Sequence, residues 1–184
     1  PKVTRQVRFP KTSPGFITSI VYVKQLSLFV AAALDMSFKL YNRRLELIET
    51  ISHEERAILA MEYDESRRII VMAGATGVTM WRLYRTTTVS MEYVIERVYK
   101  FASLAGLWIS RICLDQNASG QVYAFSDKSV YVLDLDKRKC NYHLENIHES
   151  TLTSICWYER SQFYMTGCLG GKIKCWTALH WKKK

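Results

Sequence analysis

The sequence predicts an all-β protein built from a repeated antiparallel sheet, and three observations carry that prediction. First, "ITSIVYV" from Ile17, "ILAMEYD" from Ile58, "ISRICLD" from Ile109 and "LTSICWY" from Leu152 share one pattern, apolar at their first, fourth and sixth positions. This is strand alternation offset at its first residue. Second, each segment is followed by a turn-like break ("KQLS", "ESRR", "QNASG", "ERSQ") and a near-continuous apolar run ("LFVAAA", "IIVMAGA", "QVYAFS", "FYMTGC"). A shorter break ("LDMS", "TG", "DKS", "LGGK") then leads into a third run: "FKLY", "VTMW", "VYVL" or "IKCW". Third, the spans Ile17–Tyr41, Ile58–Trp81, Ile109–Leu133 and Leu152–Trp176 agree in length to within one residue, whereas the intervals between copies vary. A fixed three-strand unit joined by a variable fourth segment accounts for both.

The elements follow in chain order. "VTRQVRF", residues 3–9, alternates Val3, Val7 and Phe9 with polar residues and reads as a fourth-position strand standing before the first unit. Unit one occupies 17–51 and takes "LELIETI" as its fourth strand. Unit two occupies 58–101. Its fourth segment, "VSMEYVIERVYKF", fits a helical stripe through Met91, Val94, Ile95 and Val98 and a strand through Tyr93, Ile95, Tyr99 and Phe101. Aromatic and β-branched content favours the strand. Unit three occupies 108–147 with "CNYHLENI", and unit four occupies 152–177 with no fourth strand of its own. All four are taken as one domain, 1–184.

Four strands per repeat of ~40–45 residues is the period of WD40 propeller blades. The sequence resembles that family at nameable positions. Trp81 and Trp176 stand at the tryptophan that ends the third strand, with Tyr41 and Leu133 as departures. Asp35 and Asp127 stand near the aspartate of the second turn, and His53 and His148 where the family places the histidine of its "GH" pair. Neither a "GH" nor a "WD" dipeptide is intact. The resemblance implies a WD40-like β-propeller with four blades' worth of four-stranded antiparallel sheets. It also implies a protein–protein interaction scaffold within a larger assembly, with cytoskeletal or ciliary proteins as the association of such divergent blades. A chain that starts with a fourth strand and ends after a third has the phase of a closed ring. WD40 members usually carry about seven blades, so part of a larger propeller is expected rather than a four-bladed ring.

Composition narrows the function classes. The hydrophobic fraction of 48% excludes disorder, and no apolar run approaches the ~18–20 residues of a membrane-spanning helix. Five cysteines, an odd count without C-x-x-C spacing, point to a reduced, intracellular and cytoplasmic protein with no zinc site. The "NAS" at Asn117 is a chance-prone sequon. No apolar signal-peptide core opens the chain.

Nothing in the sequence supports catalysis. His53 and His148 occupy equivalent repeat positions, as structural residues would, and Cys156 in mid-strand is expected to be buried and unreactive. No phosphate-cradling glycine pattern occurs, and "GGK" suits a hairpin turn. No catalytic residue, metal or cofactor is expected.

The net charge of +9 is more informative once sorted by loop. In a propeller the a–b and c–d turns share one end. Here that end collects Lys24, Arg43, Arg44, Arg67, Arg68, Arg82, Arg85, Lys137, Arg138, Lys139 and Arg160 against Asp64, Glu65, Asp115, Asp134, Asp136 and Glu159, a net positive charge. The opposite end holds Arg56, Lys128 and Lys172 against Asp35, Glu54, Glu55, Asp127 and Glu149, a net negative one. Arg43, Arg44, Arg67, Arg68, Lys137, Arg138 and Lys139 are therefore the candidate docking cations. Their expected partner is a protein with an acidic surface, such as tubulin; nucleic acid is the alternative. Against it, the arginines lack interleaved aromatics and no helix is available for a groove.

The loop "FASLAGLW" adds Leu104, Leu107 and Trp108 as candidates. Two readings stand: apolar residues covered by a partner, or Leu104 and Leu107 folded back over the sheet edges.

Overall fold

A computed structural model describes residues 16–55, 57–86, 92–115, 120–158, 160 and 163–177. These residues form a four-blade β-propeller of antiparallel sheets. The leading strand expected at 3–9 lies outside the described residues.

Blade one comprises β1 (Ile17–Val23), β2 (Leu28–Ala33), β3 (Ser37–Tyr41) and β4 (Leu47–Ser52). Blade two comprises β5 (Ile58–Asp64), β6 (Ile69–Gly74), β7 (Gly77–Arg85) and β8 (Tyr93–Lys100). Blade three comprises β9 (Arg111–Leu114), β10 (Gln121–Ser126), β11 (Ser129–Asp134) and β12 (Lys139–Leu144). In blade four the described residues form three strands, β13 (Leu152–Tyr158), β14 (Phe163–Cys168) and β15 (Ile173–Thr177). Strands pair in sequence order within every blade, and the ambiguous "YVIERVYK" is strand β8.

The offset at the start of each first strand has a structural cause. Pairing shifts register between Ile17 and Ser19, between Ile58 and Ala60, and between Leu152 and Ser154, the same place in three blades. A bulge inserts a residue, so the first apolar side chain and the fourth reach the same side.

Blades join through three hydrophobic cores, and the middle strands show how one sequence serves two of them. Along β6, Ile70 and Met72 enter the core shared with blade one, while Ile69, Val71 and Ala73 enter the core shared with blade three. Along β10, Val122 and Ala124 face blade two and Tyr123 and Phe125 face blade four. Burial on both faces explains why these runs are nearly continuously apolar instead of alternating. The first strands line up around the axis, β1 against β5, β5 against β9 and β9 against β13.

Two glycines set the tightest turn. Gly77 has φ +100°, and a Cβ on it would stand 2.4 Å from the Leu104 carbonyl oxygen. A Cβ on Gly74 would stand 2.0 Å from the Ala57 carbonyl oxygen. Only glycine fits either place.

Candidate functional site

Of the predicted cations, Arg43, Arg44, Arg67, Arg68, Lys137 and Arg138 lie in the a–b and c–d turns, whereas Arg82 and Arg85 stand within β7 and Lys139 opens β12, and the structure divides them into bound and unbound sets. Arg67 is fully engaged. Its Nη1 donates to Asp64 Oδ2 at 3.0 Å, while Nε and Nη2 donate to Asp136 Oδ1 and Oδ2 at 2.7 and 2.6 Å. This fork ties the a–b turn of blade two to the c–d turn of blade three. The Asp136 carboxylate holds the guanidinium above its ordinary range, and Arg67 in turn holds Asp136 below the usual carboxylate value. At Asp64 burial pushes the pKa up, but hydrogen bonds from Ser66 and Arg67 outweigh it and leave the group lowered. Arg67 is a clasp between blades, which corrects its placement among free docking cations.

Lys137 lies 3.5 Å from Asp134, and Lys24 lies 2.9 Å from Glu65. Arg138 sits over the Tyr99 ring at 5.5 Å, and the Tyr99 hydroxyl donates to the Arg138 carbonyl oxygen at 2.8 Å. Arg43 Nε donates to the Tyr22 hydroxyl at 3.2 Å. Ser27 and Arg43 together hold that phenol below its ordinary pKa. Arg43, Arg44, Arg68, Arg138 and Lys139 are exposed and pair with no acidic side chain among the described residues.

Two clefts open at this end. One of about 370 Å³ is lined by Leu26, Ser27, Leu28, Asn42, Arg43, Arg44, Glu46, Ile48 and Tyr93. It combines two arginines with the apolar surfaces of Leu26, Ile48 and Tyr93, and Asn42 Nδ2 ties down Glu46 Oε2 at 2.7 Å. The other, of about 260 Å³, is bounded by Asp64, Glu65 and Asp115 around the engaged Arg67. The basic end is therefore two surfaces of opposite character, the basic one on blade one. Tyr93 escaped sequence reasoning because it reaches the cleft from the fourth strand of blade two, through packing on the blade one–two core.

The apolar loop resolves unevenly. Leu104 is 0% exposed in the core between blades two and three, and Leu107 packs against that core. Of the two readings, folding back onto the sheets holds for both, with Leu104 inside the core and Leu107 partly buried against it. Trp108 is 57% exposed. Cys156, expected to be buried, is exposed, because the outward side of blade four is uncovered.

Of the two histidines expected at equivalent positions, His148 is buried and its Nε2 shares a hydrogen bond with Thr166 Oγ1 at 2.8 Å. Trp176 Nε1 donates to the same oxygen at 2.7 Å. In blade two Met72 holds the place of Thr166, so Trp81 Nε1 donates to Thr79 Oγ1 instead, at 2.8 Å. His53 packs on Phe38 with centroids 4.2 Å apart, and its Nε2 has no hydrogen-bond partner among the described residues.

Among the described residues no group of three or more His, Cys, Asp or Glu side chains could hold a metal ion. No described helix is long and apolar enough to cross a membrane. Neither a protein-family model nor a curated protein matches the chain.

Proposed function

We propose that the chain is a non-catalytic, WD40-type interaction platform that receives an acidic segment of a protein partner in the blade-one cleft. The observation that carries this reading is the joining of Arg43 and Arg44 to the apolar side chains of Leu26, Ile48 and Tyr93 in one cleft. Unpaired guanidinium groups beside apolar surface match carboxylates flanking an apolar side chain, since arginine binds carboxylates through paired donors. Arg68, Arg138 and Lys139 extend the attraction over the neighbouring turns and act mainly on the encounter rate. An acidic protein surface such as that of tubulin has the required chemistry, in keeping with a cytoskeletal or ciliary scaffold.

Each exposed contact contributes on the order of 1 kcal/mol or less, so the test reverses two charges together. Binding of wild type and of Arg43→Glu/Arg44→Glu is measured against tubulin and against random duplex DNA and RNA across a salt series. The reading expects salt-sensitive binding to the acidic protein, slowed at least about tenfold by the double reversal, with the melting temperature unchanged. A steep log–log salt dependence on nucleic acid of unrelated sequence, with no binding to tubulin, would establish the nucleic-acid alternative instead.

A further inference from the structure

At the end opposite the basic turns, the first strands of all four blades share one opening on the propeller axis. Thr18, Leu59, Ser110, Arg111, Leu152 and Thr153 line a cleft of about 430 Å³ there. Blades stand around the axis, so a further blade would extend this lining and not cover it.

The bulge of the first strands puts these side chains in the cleft. Thr18, Leu59 and Thr153 are the extra residues at the register shifts of blades one, two and four. A bulge re-aims the side chain it carries. Ser110 holds the same place in blade three, so three of the four positions bear a hydroxyl. Thr18 Oγ1 donates to the Ala32 carbonyl oxygen, Ser110 Oγ to that of Phe125 and Thr153 Oγ1 to that of Gly167, each at 3.3 Å. An ordinary O–H···O bond is about 2.7–2.8 Å long, so these protons are weakly held and turn to a ligand at little cost.

Arg111 supplies the charge. At its place in the other blades the cross-strand pair is small: Ser19 opposite Ala32, Ala60 opposite Ala73, Ser154 opposite Gly167. In blade three it is Arg111 opposite Phe125. Packing in this fold therefore does not call for an arginine here. Arg111 is exposed and pairs with no acidic side chain among the described residues, and its Nη1 reaches the Ser110 carbonyl oxygen only at 3.5 Å. A guanidinium fork and hydroxyls from separate strands match an anion with several oxygens pointing apart. A phosphoryl group offers three, a carboxylate two in one plane. The turns at this end carry a net negative charge, which favours one phosphoryl group on a neutral or basic carrier over a polyacidic ligand.

We propose that the axial cleft binds a phosphate monoester, its phosphoryl oxygens held by Arg111 and by the hydroxyls of Thr18, Ser110 and Thr153. The site lies at the other end from the blade-one cleft and does not depend on it.

The test is isothermal titration calorimetry of the whole chain at fixed ionic strength with three probes. These are glycerol 3-phosphate, a peptide of otherwise neutral side chains bearing one phosphoserine, and the same peptide without its phosphoryl group. Both phosphorylated probes are expected to bind and the unphosphorylated peptide is not. Arg111→Gln is expected to weaken binding at least about tenfold and Thr153→Val about threefold. Arg111→Lys should restore only part, because an ammonium lacks the fork. Arg43→Glu/Arg44→Glu should leave the affinity unchanged. Arg111 and Thr153 are exposed, so their replacement leaves the fold intact, which circular dichroism checks. Tighter binding of the phosphopeptide assigns the phosphoryl group to a protein side chain, and equal affinity assigns it to a small ester. Failure of both phosphorylated probes to bind, or equal binding by wild type and Arg111→Gln, would overturn the proposal.

Discussion

Thr166 shows how much one side chain decides. Its hydroxyl is the common partner of His148 Nε2 and Trp176 Nε1. Thr166→Val keeps the shape and removes both hydrogen bonds, stranding polar nitrogens in a buried site. A loss of about 1–3 kcal/mol in urea-unfolding free energy is expected, where an exposed Thr→Val change would be near zero. The same site predicts a pH dependence. Burial is the main cause lowering the His148 pKa below 6.5, so the unfolded chain binds more protons as pH falls past that value. The stability contributed by neutral His148 is present above about pH 6.5 and is lost as pH falls towards the folded-state pKa. Thermal melts from pH 8 to pH 5 check this. If stability held flat while carboxylates remain ionised, the burial argument would fail. The sequence set both histidines at one repeat position, whereas backbone pairing matches His53 with Ile147, the His53 N–H donating to the Met36 carbonyl and the Ile147 N–H to the Lys128 carbonyl. It could not show that only one has a hydroxyl beside it, because that depends on register across β14 and β15.

At the scale of elements, the "FASLAGLW" segment separates what pattern reveals from what packing decides. Periodicity marked it as an apolar insertion, but its residues have unlike fates. A 3-10 turn at Ala102–Leu104 drives Leu104 into the blade two–three core and leaves Trp108 outside. Leu104→Ala is expected to cost about 2–5 kcal/mol by cavity formation. Trp108→Ala should stay within about 0.5 kcal/mol. Chemical denaturation of the two variants tests the assignment, and equal effects would refute it. The strands of the three-strand unit were legible because apolar runs and turn residues recur in all four copies, with the bulge in three. The division of the basic end was not legible. Arg67 meets Asp136 across two blades, a pairing that no local spacing encodes.

At the scale of the molecule, stability follows from the order in which sheets cover one another. Blades two and three are enclosed on both sides by cores shared with their neighbours, whereas blade four has one core side and one exposed side. Where each repeat contacts only its neighbours, free energy is a sum of unit and joint terms. A unit with one joint therefore opens at lower cost than a unit with two. The Arg67 fork reinforces the blade two–three joint, and no ion pair between blades three and four is present among the described residues. Amide hydrogen exchange should accordingly grade along the chain, slowest in β6 and β10 and fastest in β13–β15, because local opening exposes the less enclosed sheet first. Uniform protection across the four blades in dilute solution would mean that the joints unfold as one unit, and that the exposed side of blade four weakens nothing.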